Sequence, residues 1–281
     1  QKTAYESSLG LVGAEMCIRD RYMTNSAINT GRISLIGLGP GDRNMATPSA
    51  VDIIRNCDVV VGYKGYIDQI TDLISDQILV SMELGEELDR ANRTFELANS
   101  GHSVALVSSG DAGIYGMAGP LFTILTEQGW DGVNPDVQVI PGVSALQSAA
   151  SLLGSPLMQD FCAISLSDLL TPWEIITKRI KAASVGDFVI AIYNPRSKAR
   201  QNHLLEAREI LLSDRAPSTP VGLVKDAFRP NQSLLITTLG ELDDSIGFVD
   251  MFTTVIIGNS TTYRHKNRMV TPRGYERKLH S

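Results

Sequence analysis

Five short stretches bring hydroxyls, carboxylates, cations and glycines together where chemistry could be done. The first, Gly37-Leu38-Gly39-Pro40-Gly41-Asp42, follows a β-branched run. Its glycines let the backbone approach a ligand closely and adopt φ > 0. It is not a Walker loop, because no Gly-Lys-Ser/Thr follows. It also fails the dinucleotide fingerprint, whose third glycine position holds Asp42. The Gly-rich loop Gly62-Tyr63-Lys64-Gly65 lacks the carboxylate that binds ribose in a nucleotide fold. A tight strand–helix turn accounts for the first stretch equally well.

The second stretch, Ser108-Ser109-Gly110-Asp111-Ala112-Gly113-Ile114-Tyr115-Gly116-Met117, stands at the carboxyl end of the fourth expected strand. Open α/β sheets form their ligand crevices there. Glycines at 110, 113 and 116 make a loop with amide and carbonyl groups to offer a ligand, more than a simple turn requires. In the third, Pro141-Gly142-Val143-Ser144-Ala145, Ser144 is an expected helix N-cap, a role compatible with ligand contact. In the fourth, Ser165-Leu166-Ser167-Asp168 leaves two hydroxyls and a carboxylate at a strand end, and Thr171 with Glu174 reads as a capping box around Pro172 at N1. The fifth, Tyr193-Asn194-Pro195-Arg196-Ser197-Lys198-Ala199-Arg200, gathers three cations where a helix dipole disfavours them. A solvated helix start is the plain reading; a bound polyanion explains the placement better. Lys225, Arg229, Arg264, Lys266, Arg268 and Arg273 add to such a field.

These stretches need strands and helices to hold them. Strands are expected at Ile33–Leu38, Asp58–Val61, Ile78–Met82, Ser103–Ser108, Val137–Ile140, Phe161–Ser165, Phe188–Tyr193, Val221–Val224, Leu234–Thr238 and Thr253–Ile257. Helices are expected after Thr47-Pro48 through Asn56, at Glu86–Asn99, around Leu121–Glu127, at Ala145–Leu153, from Pro172, and at His203–Leu212. The alternation implies an α/β protein, with a largely parallel first sheet and a mixed or antiparallel second one. The boundary is expected near Pro141–Ser144, giving an N-terminal unit at 32–142, a C-terminal unit at 143–263 and a basic tail at 264–281.

Composition narrows the functions. The chain has 281 residues and a net charge of -6, which argues against nucleic acid as a partner. No apolar run approaches the roughly 18 residues of a membrane span. Cys17, Cys57 and Cys162 and the four histidines are scattered, so no metal site is expected. Residues 1–22 lack periodicity, and Leu11–Arg21 resembles a translated sequencing adapter. Met23 is the expected natural start, and residues 1–22 are left out of fold reasoning.

In this order, GLGPGD, SSGDAGIYG, IPGVSA, SLSDLLTPW, IYNPRS and MVTPRGY closely resemble the tetrapyrrole (class III) methyltransferases, from about Arg32 to Leu279. The first three motifs are shared by the family. The others resemble the branch that methylates C17 of a cobalamin-pathway macrocycle, precorrin-3B or its cobalt-factor III equivalent, with ring contraction. One departure is Ala112, where the family often has Pro. The resemblance implies two α/β domains of the tetrapyrrole methylase type with the active site in the trough between them. It implies S-adenosyl-L-methionine as methyl donor, no protein-bound metal, a homodimer and a cytoplasmic location. It assigns donor contacts to Pro40, Gly110, Asp111, Ile114, Ser144, Ala145, Tyr193 and Ala227. Gly39, Gly41, Ser165 and Ser167 would face the macrocycle, and Arg196, Lys198 and Arg200 would grip its carboxylates. Asp42 and Asp168 are the candidate general bases. The rivals are methylation at another position such as C11 of precorrin-4, a dinucleotide-dependent oxidoreductase, and a non-catalytic tetrapyrrole carrier.

Overall fold

Parallel strands buried on both faces need helices on both sides, and the first half of the chain supplies them. The structure, a computed structural model, describes residues 30–278. Residues 1–22, with Cys17, and the proposed start at Met23 lie outside the described residues. Strands β1 (Arg32–Gly37), β2 (Val59–Tyr63), β3 (Ile78–Met82), β4 (Ser103–Ser108) and β5 (Asp136–Ile140) form a sheet of order β3-β2-β4-β1-β5. Every pairing in it is parallel.

Helices α1 (Pro48–Asn56) and α2 (Lys64–Ile67) cover one face, where Ala50, Ile54 and Ile67 pack with Ile36, Val60, Ala105 and Val107. Helices α3 (Glu87–Asn99) and α4 (Ala118–Glu127) cover the other, over Ile33, Leu35, Val104 and Leu106. Each fully buried Ile or Leu contributes about 1.5–3 kcal/mol, so the alternation of these residues fixes which face meets which helix. As expected, Thr47 caps α1, its hydroxyl accepting from the Ala50 amide, and Pro48 begins the helix.

The second sheet has order β10-β9-β11-β8-β7, built from β7 (Phe161–Ser165), β8 (Val189–Tyr193), β9 (Pro220–Lys225), β10 (Ser233–Thr238) and β11 (Thr253–Ile257). It is mixed: β7 and β8 are parallel, the remaining pairs antiparallel. Helices α6 (Trp173–Val185) and α7 (His203–Leu212) cover one face and α5 (Ala145–Leu153) the other. A small third sheet joins β6 (Gly154–Ser155), β12 (Tyr263–His265) and β13 (Arg268–Val270). Much of the expected basic tail is therefore folded: β13 pairs with β6, and the Thr271 amide donates to the Ser155 carbonyl.

Three local expectations need correction. The capping box at Thr171 and Glu174 does not form; Pro172, still extended at ψ 141°, is the N-cap of α6 and no side chain caps it. Instead Trp173 fixes the start of α6, its ring 4.2 Å from that of His203 and its Nε1 donating to Glu206. The glycine loop at 62–65 is the end of β2 and the first turn of α2. Gly62 makes room for Val107, whose Cγ2 would lie 2.5 Å from a Cβ there. Ala112 is fully buried in the first core, so it packs where a turn residue was expected.

Candidate active site

The carboxyl ends of β1, β4 and β5 lie side by side, and their loops meet almost backbone to backbone. The Gly39 and Gly110 amides donate to each other's carbonyls at 3.0 and 2.7 Å, forming an isolated antiparallel bridge. A Cβ on Gly142 would stand 2.2 Å from the Gly110 carbonyl oxygen and 2.6 Å from that of Gly37. Glycine at 142 is thus a requirement of close approach between three strand ends. Asp111 ties the same loops: Oδ1 accepts from the Gly113 amide at 2.8 Å and Oδ2 from the Gly142 amide at 3.0 Å. Its carboxylate and the Gly110 backbone hold the loop in shape, while Gly113, Ile114 and Tyr115 form the exposed lip.

The loop after β5 turns directly into α5. Ser144, almost fully buried, makes a capping box with Gln147. A Cβ on Gly110 would lie 3.6 Å from the Ala145 nitrogen, which places Gly110, Ser144 and Ala145 together. From the second sheet, the Tyr193 hydroxyl accepts from the Leu146 amide at 3.0 Å, satisfying one N-terminal donor of α5. Burial holds the Tyr193 phenol above its ordinary value, so it stays protonated at neutral pH. The Tyr115 ring is 5.0 Å from that of Tyr193, and the Tyr115 hydroxyl donates to the Ala163 carbonyl. Asn194, with φ 51°, donates to the Ser165 hydroxyl, which also accepts from the Ser167 amide.

The loop after β9 closes the opposite side. Arg229 Nε donates to the Pro40 carbonyl at 2.7 Å and Nη2 to the Ser109 hydroxyl at 3.1 Å. A cavity of about 490 Å³ opens between this loop and the first, lined by Gly41, Asp42, Phe228, Arg229, Pro230 and Gln232. Pro40, Gly110, Asp111, Ser144, Ala145 and Tyr193 are therefore contiguous. Ile114 lies on the exposed lip, and Ala227 lies two residues from Arg229.

The expected cationic cluster is divided. Arg196 Nη1 donates to the Ile246 and Val249 carbonyls at 2.8 and 3.5 Å, pinning that loop. Arg200 is largely buried, 3.8 Å from Asp168. Lys198 is exposed and makes no ion pair among the described residues. With Arg196 it lines a second cavity, of about 400 Å³, walled by Asp250, Met251 and Phe252. That cavity adjoins the first loop cluster through β9 and β11: Lys225 pairs with Asp250 at 2.5 Å, and the Asp226 amide donates to the Phe252 carbonyl.

The two candidate bases differ. Asp42 is exposed at the 490 Å³ cavity, with Oδ1 accepting from the Asn44 amide. Asp168 lines neither cavity and faces His203 at 3.2 Å. Burial alone would raise the Asp168 carboxyl, but its own backbone amide, His203 and Arg200 overrule it and hold it below the ordinary value. Stability from this group is present above the ordinary carboxylate range and is lost as pH falls through the depressed value. His203→Ala is expected to move the Asp168 midpoint up toward the ordinary carboxylate value in a carboxyl carbon NMR titration. An unmoved midpoint would show that His203 does not set it.

Tyr115, Asn194 and Arg229 were not singled out as site residues in the sequence. Tyr115 and Asn194 lie inside the motifs, and Asn before Pro is a turn signal legible in the sequence, realised as φ 51° at Asn194. The sequence marks Arg229 only as part of a wider basic field; its tie to the first unit carries no local hint, because its partners are 189 and 120 residues away. Among the described residues no group of three or more His, Cys, Asp or Glu side chains is arranged to hold a metal ion.

Residues 32–243 match the family described as tetrapyrrole (corrin/porphyrin) methylases. The chain is 48% identical over 243 residues to a protein of Salmonella typhimurium named probable cobalt-factor III C(17)-methyltransferase, covering 86% of this chain and 99% of that one. It is also 48% identical over 250 residues to a cobalt-factor III methyltransferase of Priestia megaterium, covering 88% of this chain and 46% of that one. The chain thus spans about half the length of the Priestia relative. The crystal structure of the methyltransferase CobJ superposes with a TM-score of 0.80 at 35% identity, over 86% of this chain and all of that one.

Proposed function

Because the chain belongs to the tetrapyrrole (corrin/porphyrin) methylases, we propose that it transfers a methyl group from S-adenosylmethionine to C17 of a cobalamin-pathway macrocycle, precorrin-3B or cobalt-factor III, with ring contraction. The observation that carries this reading is the convergence of the β1, β4 and β5 loops on Gly110 and Gly142, faced by Tyr193 and the 226–232 loop. The residues present fit the donor: a tightly shaped glycine cradle, an exposed lip at 113–115, and a protonated phenol behind it.

The sulfonium supplies an already activated methyl group. The chain's part is then to align and to exclude water, which is worth several orders of magnitude in rate. Tyr115 and Tyr193 wall the cleft, and Ser165, Ser167 and Asn194 present polar atoms along its second side. Asp42 at the open cavity is the proposed base for the substrate's ring proton, and Asp168 is kept for holding Arg200 and His203. Lys198 is the cation free to meet a substrate carboxylate, with Met251 and Phe252 as apolar wall. Lys198→Glu is expected to raise KM for the macrocycle about tenfold and leave KM for the donor unchanged, since a charge reversal at a rim costs of the order of 1 kcal/mol. An unchanged macrocycle KM would remove Lys198 from the site.

Family membership also supports three finer proposals: a homodimer, a cytoplasmic location, and separate units at 32–142 and 143–263, each spanning one of the two main sheets. Among the described residues no helix is long and apolar enough to cross a membrane. The function is tested by incubating the full chain with labelled S-adenosylmethionine and either precorrin-3B or cobalt-factor III. One methyl gained by mass, with a changed absorption spectrum, is expected for one of them. Inertness toward both would overturn the reading.

A further inference from the structure

Arg229 does something unusual for an arginine on a loop: it spends its donors on the other half of the molecule. Its loop leaves β9 with left-handed residues at Asp226 (φ 49°) and Phe228 (φ 57°), which aim the side chain back toward the first sheet. Three-quarters of the side chain is covered. The stem lies against Gly41, where a Cβ would stand 2.8 Å from Arg229 Cγ and 3.1 Å from Nε. Gly41 also has φ 144°, so this close approach and the backbone both call for glycine. Beyond the stem, the guanidinium reaches the Pro40 carbonyl and the Ser109 hydroxyl, with Asp226 3.9 Å away as its nearest carboxylate.

We propose that Arg229 is a positioning residue for the methyl donor. From the second unit it fixes how far apart the Pro40 loop, the Ser109-Gly110 loop and its own Ala227 stand. These are the walls of the donor cleft assigned above, and the inference rests on that assignment. The argument is one of reach. The loops after β1 and β4 are tied to each other by the Gly39–Gly110 bridge, but among the contacts at this cleft only Arg229 ties both to the 226–232 loop. A quarter of the Arg229 side chain is exposed and its hydrogen bonds go to loop atoms, so removing it should loosen the cleft without unfolding either half. A planar fork serves two acceptors in different directions, whereas a lysine ammonium can favour only one.

The test is calorimetry of S-adenosylhomocysteine binding to the full chain, with the melting temperature of ligand-free protein measured alongside. Arg229→Ala is expected to weaken binding roughly 10- to 100-fold, about the value of one of the two charge-assisted hydrogen bonds it releases, since the loosened loops keep part of their grip. Ser109→Ala removes one arm only and should weaken it several-fold; Arg229→Lys should recover part of the loss. Melting of the ligand-free variants should stay close to wild type. In turnover, KM for the donor should rise more than kcat falls. Wild-type affinity in Arg229→Ala overturns the proposal, as does a loss of affinity matched by a collapse in melting temperature while Ser109→Ala binds normally. Wild-type protein that ignores S-adenosylhomocysteine overturns the donor assignment itself, and that is visible before any variant is compared.

Discussion

Gly142→Ala should bind S-adenosylhomocysteine about 100-fold more weakly than wild type and lose methyl transfer in proportion. The added Cβ would meet the Gly110 carbonyl oxygen at 2.2 Å, and the Gly37 oxygen and carbon at 2.6 and 2.7 Å. None of these atoms belongs to a side chain that can swing away. Gly37 ends β1 and Gly110 stands two residues past β4, strands that pair with each other over six residues each, while Gly142 follows β5, paired with β1. Relief therefore means spreading the three loops, and that spreads the cleft they form. Overpacking in a core costs about 1–3 kcal/mol, and a clash among backbone atoms falls at the upper end, near 100-fold in an equilibrium constant. Gly119→Ala is the matched control, since a Cβ there meets nothing within 4 Å and lies in α4. It should bind as wild type and melt no lower, alanine being the better helix former. Normal donor affinity in Gly142→Ala would mean that the loops do not form the cleft.

Much of this fold was legible because its strands are short apolar runs ended by turn residues. Ser103–Ser108, Phe161–Ser165 and Thr253–Ile257 begin and end as the sequence pattern predicts. So does α5, where Ser144 announces the N-cap. The elements that escaped have no period to read. β6 is two residues long, and β13 exists by pairing with it across more than a hundred residues. α2 begins inside a Gly-Tyr-Lys-Gly stretch, where local propensity favours a loop and packing of Ile67 into the first core decides otherwise. The capping box at Thr171 failed for a similar reason: its local pattern is sound, yet the Trp173 contacts with α7 set where α6 begins.

The site divides along the same line. Which loops come together was visible in the glycine, Ser-Leu-Ser and Tyr-Asn-Pro-Arg motifs, because each lies at the end of a recognisable strand. What each residue does was not, because role depends on partners distant in sequence. Arg196 and Arg200 read as free cations, but one is committed to the Ile246 and Val249 carbonyls and the other to Asp168. Asp168 reads as a base, but His203, 35 residues on, and Arg200 help to hold it as a settled anion. The glycine loop after β4 reads as a set of open donors and acceptors. Its Gly110 is in fact bonded to Gly39, which leaves residues 113–115 as the exposed part of the loop.

Asp111 shows how far that distinction can be pressed. Family resemblance gives it a donor contact; the geometry gives it two amides of its own chain, Gly113 and Gly142. Hydrogen bonds to a carboxylate contribute about 1.5–3 kcal/mol each. Asp111→Ala releases both and should weaken S-adenosylhomocysteine binding about 100-fold. In Asp111→Asn one oxygen still accepts while the new amide points a donor at a donor, so a loss of about tenfold is expected. A direct contact with the ligand's cationic amine would predict similar single-variant losses, so the singles alone do not separate the two roles. The double variant with Gly142→Ala does. If Asp111 acts by holding Gly142, the two changes spoil one arrangement, and together they should cost little more than the worse of them. If Asp111 grips the ligand independently, their costs should add, and the double variant should lose both factors in full. Additive losses would return Asp111 to the ligand; shared losses would place it behind the cleft, as the support of the three loops that meet at Gly142.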